Sequence, residues 1–303
     1  MAPPPSSLDT TKISAPATGR HYILGLGIFV GLVLLFYMTH RILMHYDPRI
    51  AAALQGGAMP ALATFLGTLP VLFAQQFSQR TFDGLLGFGA GVMLAASVFS
   101  LIMPALEASG VQGFSAWGAG LITGGGILLG AALLLAMDKL VPHEHFVKGV
   151  EGMHAHRLKR AWLFVWAIVL HNFPEGLAIG VAYAGTDNVG ATALTTGISI
   201  QDVPEGLVVA ATLRGVGYGR TTAVGIGAAS GLVEPLAAVM GAAVIGISNM
   251  FLPWGLAFAA GAMLYIISHE IIPESHRAGH ETLATGGLMI GFVLMMLLDT
   301  ALG

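Results

Sequence analysis

The chain has 303 residues, of which 55% are hydrophobic and only 10% are charged, and its mean hydropathy is +0.78. This composition excludes an ordinary soluble domain and is typical of a chain that crosses a membrane several times. The net charge is −3 and the 13 basic residues form no patch, which excludes nucleic-acid binding, while the absence of cysteine excludes disulfides and thiolate metal sites.

Apolar stretches long enough to cross a membrane recur along the chain. A hydrocarbon core about 30 Å thick requires about 20 helical residues. We therefore predict an all-α polytopic membrane helix bundle with nine spans, at residues 22–39, 51–74, 82–106, 113–137, 161–183, 191–213, 222–245, 251–272 and 283–302.

The first span is treated separately from the other eight. The Pro- and Ser-rich segment 1–20 is predicted to be a disordered cytoplasmic N-terminus, and 21–49 an extra N-terminal transmembrane helix with its connection. A signal peptide is the alternative for this span, but no small-residue cleavage site follows it closely, which favours an uncleaved helix. Residues 50–303 then form the main domain, with its largest connection at 139–160.

The distribution of basic residues predicts the orientation in the membrane. Lys and Arg near span ends are retained on the cytoplasmic side. With the N-terminus in the cytoplasm, all basic residues except Arg41 and Arg49 lie inside. Nine spans then place the C-terminus outside, in a plasma membrane or a bacterial inner membrane.

Ionisable residues lie near the middle of three consecutive predicted spans. The stretch "HNFPEG" begins at His171, "QDVPEG" begins at Gln201, and Glu234 lies in the seventh span. A charged residue at the bilayer centre costs roughly 2.5 to 3.5 kcal/mol on insertion scales, so five ionisable groups at one depth require compensation. A bound cation would supply it. Protonated carboxyls that hydrogen-bond across helices are the alternative, which we consider the weaker one for so many groups.

Helical spacing sorts these residues into two overlapping sets, because residues three or four apart share a helix face. One set contains His171, Glu175, Gln201 and Glu205. The other contains Asn172, Glu175, Asp202 and Glu205, with Glu234 available from the seventh span. The four carboxylates sum to −4 when ionised, which two divalent cations would neutralise.

A proline lies beside an acidic residue in each of these spans: Pro174, Pro204 and Pro235. Each removes a helical hydrogen bond and can free a carbonyl toward a polar path. A packing kink is the alternative interpretation, which explains one such proline better than three.

The paired "HNFPEG" and "QDVPEG" motifs resemble the metal-binding signatures of the ZIP (Zrt/Irt-like protein) family of divalent-metal transporters, in particular its prokaryotic GufA-like branch. The resemblance implies eight core helices, a homodimer, a binuclear metal centre on the fourth and fifth core helices, and elevator-like movement of one helix bundle against another. It implies transport toward the cytoplasm. The sequence has no phosphate-binding GxxxxGK(S/T) motif, so we expect gradients to drive the movement, with no cofactor. It also implies that the residues named above are ligands and that Met93 contributes a thioether.

The chain departs from the pattern of many eukaryotic members, which carry two histidines where it has Gln201 and Glu205, and a carboxylate where it has Gly206. Oxygen ligands harden a site relative to imidazole, so we expect Zn²⁺ as the main substrate with Cd²⁺, Fe²⁺ or Mn²⁺ also admitted.

Two further groups of metal-ligand residue types lie on the predicted cytoplasmic side. His269 and Glu270, near the end of the eighth span, are predicted to relay ions from the centre, although a solvated polar cluster is the alternative. The loop histidines are predicted to form a metal sensor or, alternatively, merely a soluble loop: His143, His145, His154 and His156. Acids near span ends are expected to reach water and receive no metal role: Asp83, Glu107, Asp138 and Asp299.

Two other functions use buried ionisable residues. An intramembrane metalloprotease needs a second histidine four residues after the first, but "HEIIP" places Pro273 there, which excludes this enzyme class. A proton antiporter or proton relay protein is the stronger alternative. The amides of Asn172 and Gln201 beside the carboxylates favour metal coordination over a proton wire.

Overall fold

The computed structural model of the protein describes residues 19–73, 78–140 and 153–302, and within these ranges it contains helices and no strand. The predicted all-α bundle is therefore confirmed. The α-helices are α1 (Gly19–Tyr46), α2 (Pro48–Thr68), α3 (Gln79–Ala95), α4 (Met103–Val111), α5 (Ala116–Leu140), α6 (Met153–Ala184), α7 (Asn188–Gly215), α8 (Arg220–Ser230), α9 (Val233–Ile247), α10 (Leu252–Ile266), α11 (Ile272–His276) and α12 (Glu281–Leu302).

Some of these helices join into longer runs. The π-helical segment Ala96–Ile102 connects α3 to α4, and a second one, Ile267–Ile271, connects α10 to α11. In both cases a proline opens the following helix, Pro104 in α4 and Pro273 in α11. Because proline has no N–H to give to the preceding turn, a locally widened helix is a natural way to continue the chain.

Within the described ranges, seven helical runs are long and apolar enough to cross a membrane: Pro48–Leu72, Gln79–Val111, Ala116–Met137, Val165–Ala184, Arg220–Ile247, Asn249–His276 and Glu281–Ala301. Neither α1 nor α7 is among them. In α7 the polar side chains of Gln201, Asp202 and Glu205 lower the mean hydropathy.

Each of the nine predicted spans overlaps one helical run, but the predicted ends and continuity differ. The third run extends to Val111, beyond the predicted end at 106. The seventh predicted span, 222–245, lies within the run Arg220–Ile247, but that run is interrupted, because α8 ends at Ser230 and α9 begins at Val233. The new helix thus starts one residue before Glu234.

Side-chain caps fix where three helices start. The carboxylate of Asp47 accepts a hydrogen bond from the backbone N–H of Arg49 at 2.9 Å, just before Pro48 opens α2. Asp187 caps α7 in the same way, and Ser78 caps α3. A cap satisfies N–H groups that have no partner inside the helix, so it defines the register of the residues that follow.

The helices pack into two groups. The α6–α7 unit consists of α2, α6, α7, α8 and α9, in which α2 packs along α7 and α6 along α9. The α3–α12 unit consists of α3, α4, α5, α10, α11 and α12, in which α3 packs along α12 and α5 along α10. The two units meet where α7 contacts α3 and α12 and where α6 contacts α10. Helix α1 packs against α2.

Glycines allow the backbones within each unit to approach closely. A Cβ added to Gly206 of α7 would overlap the carbonyl oxygen of Thr64 of α2, and one added to Gly67 of α2 would overlap that of Val203 of α7. Small residues at helix contacts are the usual means of tight packing in membranes. The α2–α7 contact therefore has no room for a side chain at position 206, which accounts for the glycine there.

Candidate metal centre

Seven polar side chains from α6, α7 and α9 lie buried in the middle of the α6–α7 unit. His171, Asn172 and Glu175 come from α6, and Gln201, Asp202 and Glu205 come from α7. Glu234 comes from the first turn of α9. The most exposed of the seven, Glu205, has an exposed fraction of only 8%. The predicted set of residues is thus brought to one place in the bundle.

Prolines lie next to these groups without ending the helices. Pro174 and Pro204 sit inside α6 and α7, each one residue before a glutamate. A proline cannot donate to the carbonyl four residues earlier, so Leu170 and Ile200 lose their intrahelical donors. Both carbonyls belong to the residue that precedes a motif, and this loosens the backbone beside His171 and Gln201.

Three carboxylates form the centre of the cluster. Glu175, Asp202 and Glu205 each offer an oxygen, and these oxygens all lie within 4.8 Å of one another. Such a set of acidic oxygens suits a divalent cation, because the cation offsets a charge repulsion that is strong in an environment of low dielectric constant.

Several buried oxygens of the cluster have no hydrogen-bond donor. They are Asn172 Oδ1, Glu175 Oε2, Asp202 Oδ2, Glu205 Oε1 and Glu234 Oε2. Each buried acceptor without a partner costs roughly 1 to 3 kcal/mol. Buried polar atoms in an ordinary protein interior are almost always hydrogen-bonded. Five unpaired oxygens from three helices are therefore more typical of a metal site.

Gln201 links the carboxylates of two helices. Its Nε2 donates one hydrogen bond to Glu175 Oε1 and another, of 2.9 Å, to Asp202 Oδ1. Its Oε1 faces α3, where a Cβ added to Gly89 would lie 3.3 Å away. The side chain therefore lies at the contact between the α6–α7 unit and the α3–α12 unit.

Asn172 connects α6 to the break between α8 and α9. Its Nδ2 donates to Glu234 Oε1 at 3.1 Å and to the carbonyl oxygen of Ser230 at 3.2 Å. The carbonyls at the end of a helix lack intrahelical donors, so the end of α8 makes the Ser230 oxygen available. The Oδ1 atom of Asn172 is buried and has no hydrogen-bond donor, so it is available to a cation.

His171 also has a neighbour that its spacing did not suggest. Its Nε2 lies 2.8 Å from Glu270 Oε2, on the π-helical segment between α10 and α11. The side chain of Glu270 has an exposed fraction of 31%, whereas that of His171 is 4%. The sequence predicts that Glu270 relays ions from the centre, but nothing in the local sequence signals its contact with His171, because the two residues are far apart in the chain.

The remaining predicted metal residues occupy less central positions. Met93 of α3 is buried in the apolar core, one helical turn after Gly89. His269 is exposed and stacks on Tyr265, with ring centroids 5.0 Å apart. His143 and His145 lie outside the described residues. His154 and His156 belong to the first turn of α6, but their side chains also lie outside the described part of the structure.

The expectation that Asp83 reaches water is wrong. Its side chain is fully buried, and it accepts a hydrogen bond from Gln79 Nε2 at 2.8 Å and pairs with His280 Nδ1 at 2.7 Å. Asp299 also has a partner, because the hydroxyl of Ser100 donates to it at 2.7 Å. Asp83 connects α3 to the residue before α12, and Asp299 connects α12 to the segment between α3 and α4. Both contacts lie within the α3–α12 unit.

Comparison with known proteins identifies the family. The family model described as "ZIP Zinc transporter" matches residues 145–299. The zinc transporter ZIPB of Bordetella bronchiseptica is 47% identical over 257 residues, which cover 84% of this chain and 82% of that protein. The chain belongs to the ZIP family.

Other relatives support the same branch. The zinc transporter GufA of Myxococcus xanthus is 44% identical over 254 residues, covering 84% of this chain and all of that protein. The zinc transporter ZIP11 of Homo sapiens is 34% identical, covering 79% of this chain and 94% of that protein. This ZIP chain is therefore an integral membrane protein of a divalent-metal transporter family and not an enzyme, and zinc enters its chemistry as a transported substrate and not as a cofactor.

Proposed function

We propose that this ZIP chain carries Zn²⁺ into the cytoplasm through two adjacent metal sites in the α6–α7 unit. His171, Glu175, Gln201 and Glu205 hold the first ion. Asn172, Glu175, Asp202, Glu205 and Glu234 hold the second. The observation that carries the proposal is the group of three buried carboxylates whose oxygens lie within 4.8 Å of one another.

The donor chemistry supports a transported ion in preference to a permanently bound one. The centre has one imidazole and otherwise carboxylate and amide oxygens, with no cysteine anywhere in the chain. Transport needs binding strong enough for capture and weak enough for release. Oxygen-rich sites also bind harder metals, so Cd²⁺, Fe²⁺ and Mn²⁺ are proposed as further substrates.

The packing supports elevator-like movement. All seven candidate ligands at the centre of the bundle belong to the α6–α7 unit, which has closely approaching backbones of its own. That unit moves against the α3–α12 unit and carries the ions with it. Met93 of the α3–α12 unit would then meet an ion in only one of the two positions.

The contact between His171 and Glu270 supports an exit path on the cytoplasmic side. Glu270 is half-exposed and lies across the boundary between the units. It can accept a metal from the first site when His171 turns away from the other ligands. His269, one residue earlier and exposed, continues the same path toward water.

The proposal extends to the arrangement of the protein in the membrane. Helix α1 is an additional membrane helix that precedes the eight core helices of a domain over 50–303, and the protein forms a homodimer in the inner membrane of a bacterium. The N-terminus is cytoplasmic and the C-terminus external. The histidines of the 139–160 connection respond to cytoplasmic metal and slow uptake.

Uptake by proteoliposomes tests the proposed function. The wild-type chain should accumulate zinc along a zinc gradient, and Asp202→Asn should reduce the initial rate by more than about tenfold because it removes a charged second-site ligand while preserving its shape. Glu281→Gln is the matched control, since Glu281 is an exposed carboxylate at the start of α12.

Two results would contradict the proposal. Unchanged zinc uptake by the Asp202→Asn variant would remove Asp202 from the transport site. A pH gradient generated without added metal, together with no zinc accumulation by the wild type, would instead identify a proton carrier that uses the same carboxylates.

A further inference from the structure

Glycines lie at helix contacts both within the units and between them. Within each unit, several glycines face the backbone of the neighbouring helix, as Gly206 and Gly67 do between α2 and α7. Where α7 meets α3 and α12, the glycines face side chains instead: Gly89 faces Gln201, and Gly197 faces Met295. Side chains can change rotamer, whereas a backbone overlap cannot be relieved without separating the helices.

Met295 fills the space above Gly197. A Cβ added to Gly197 would overlap the sulfur of Met295, so the thioether occupies the position that a side chain on α7 would take. Met295 belongs to α12 and is fully buried. Gly197 lies four residues before Gln201, and the contact is therefore one helical turn from the candidate metal ligands.

The α7 face that carries Gly197 has different residues one turn away in each direction. Four residues earlier stands Ala193, which is small and fully buried. Four residues later stands Gln201, whose amide is held by two carboxylates. A displacement of α7 by one turn, about 5.4 Å, would therefore place Met295 over a methyl group in one direction and against an anchored side chain in the other.

We propose that Met295 is a positioning residue for transport, which seats over Gly197 in one position of the α6–α7 unit and over Ala193 in the other. The inference rests on the proposed movement of that unit. A methionine suits this role because its unbranched, flexible side chain can leave one recess and refill another without a large steric barrier. The anchored side chain of Gln201 limits movement of α7 in the opposite direction. Gly197 and Ala193 thus define two registers of the α7–α12 contact.

A larger side chain at position 193 tests the proposal. In Ala193→Leu we expect the maximal rate of zinc uptake by proteoliposomes to fall by about tenfold or more, which corresponds to a steric penalty of roughly 1.4 kcal/mol. Zinc binding to the purified protein, measured by calorimetry, should stay within about twofold, because the ligands are untouched. Thr192→Leu is the control, since it adds the same side chain at the neighbouring exposed position.

A double variant tests whether Met295 is the obstructed group. Met295→Ala removes the side chain that the larger group at position 193 would obstruct, so Ala193→Leu combined with Met295→Ala should recover a large part of the lost uptake. A misfolded Ala193→Leu protein would lose zinc binding as well as uptake, so the calorimetric measurement separates misfolding from an obstructed movement. Wild-type uptake by Ala193→Leu, or no recovery in the double variant, would overturn the role of Met295.

Zinc uptake by the wild type, Asp202→Asn and Ala193→Leu, measured side by side, distinguishes this inference from the proposed function. If the wild type transports zinc and Asp202→Asn does not, the metal centre stands whatever the behaviour of Ala193→Leu. If the wild type does not transport zinc, the proposed function fails first and the registers of α7 have no transport role.

Discussion

Two adjacent residues of α6 show how differently the two sides of the centre are built. Asn172 donates to Glu234 and to the carbonyl of Ser230, and all three groups belong to the α6–α7 unit. His171 pairs instead with Glu270, a half-exposed residue of the α3–α12 unit. The Asn172 side is thus complete within one unit, whereas the His171 side crosses the boundary between two. Any relative movement of the units must alter the His171 side and can leave the Asn172 side intact.

This difference suggests a division of work between the two proposed sites. In the proposed mechanism, the site on the Asn172 side would be carried as a whole. The site on the His171 side would exchange its ion with Glu270 and with water. The carboxylates that the two proposed sites share, Glu175 and Glu205, would couple them.

The largest effect is expected at a residue that both sides share. Glu175→Gln removes one bridging charge from each site, and we expect zinc uptake to fall more than about 100-fold, beyond the roughly 10- to 100-fold typical of indirect neighbours of a metal. Initial uptake rates in proteoliposomes measure this effect. If one site were independent of Glu175, substantial uptake would survive.

A smaller effect should follow from a change confined to the Asn172 side. In Asn172→Asp a carboxylate oxygen replaces Nδ2 and faces Glu234 and the carbonyl of Ser230, which were acceptors of the amide. The lost hydrogen bonds and the new repulsion should cost roughly 1 to 3 kcal/mol. Zinc affinity measured by calorimetry should therefore fall, although a carboxylate is intrinsically a stronger ligand than an amide.

Asn172→Ala provides the comparison for that variant. It removes the coordinating oxygen without introducing a negative charge. An Asn172→Asp protein that binds zinc more tightly than the wild type would show that the amide hydrogens do not position this side chain.

The smallest effect is expected across the boundary between the units. The contact of His171 with Glu270 is partly exposed, and interactions between partly exposed polar side chains contribute at most about 1 kcal/mol, a factor of about five. Glu270→Gln should therefore lower the maximal uptake rate by about fivefold or less and leave the number of zinc ions bound unchanged. A loss of one bound zinc per chain in Glu270→Gln would mean that Glu270 is itself a ligand of the centre.

Much of the candidate site could be predicted from the sequence because its geometry depends on residues close together in the chain. His171 and Glu175, like Gln201 and Glu205, lie four residues apart, so helical spacing alone places each pair on one face. The apolar spans determined the class of fold for a similar reason, since bilayer thickness dictates their length.

The remaining features depend on contacts between distant residues. The contact of His171 with Glu270 joins residues from different helices that are far apart in the chain. The burial of Asp83 depends on His280, 197 residues away, and a position near a span end gave the opposite expectation. Pro235 indicated a disturbed helix in the seventh span, but the sequence did not give the position of the break after Ser230, because a single Gly231 in a chain with 42 glycines is not a distinctive signal.

Anomalous X-ray scattering at the zinc edge from crystals of the zinc-loaded protein tests the central claim most directly. The account predicts two zinc peaks in each chain, both between α6 and α7, with carboxylate oxygens of Glu175 and Glu205 bound to each ion at about 2.0 to 2.2 Å. Zinc peaks found elsewhere, with the carboxylates of Glu175, Asp202 and Glu205 bound to no ion, would contradict it.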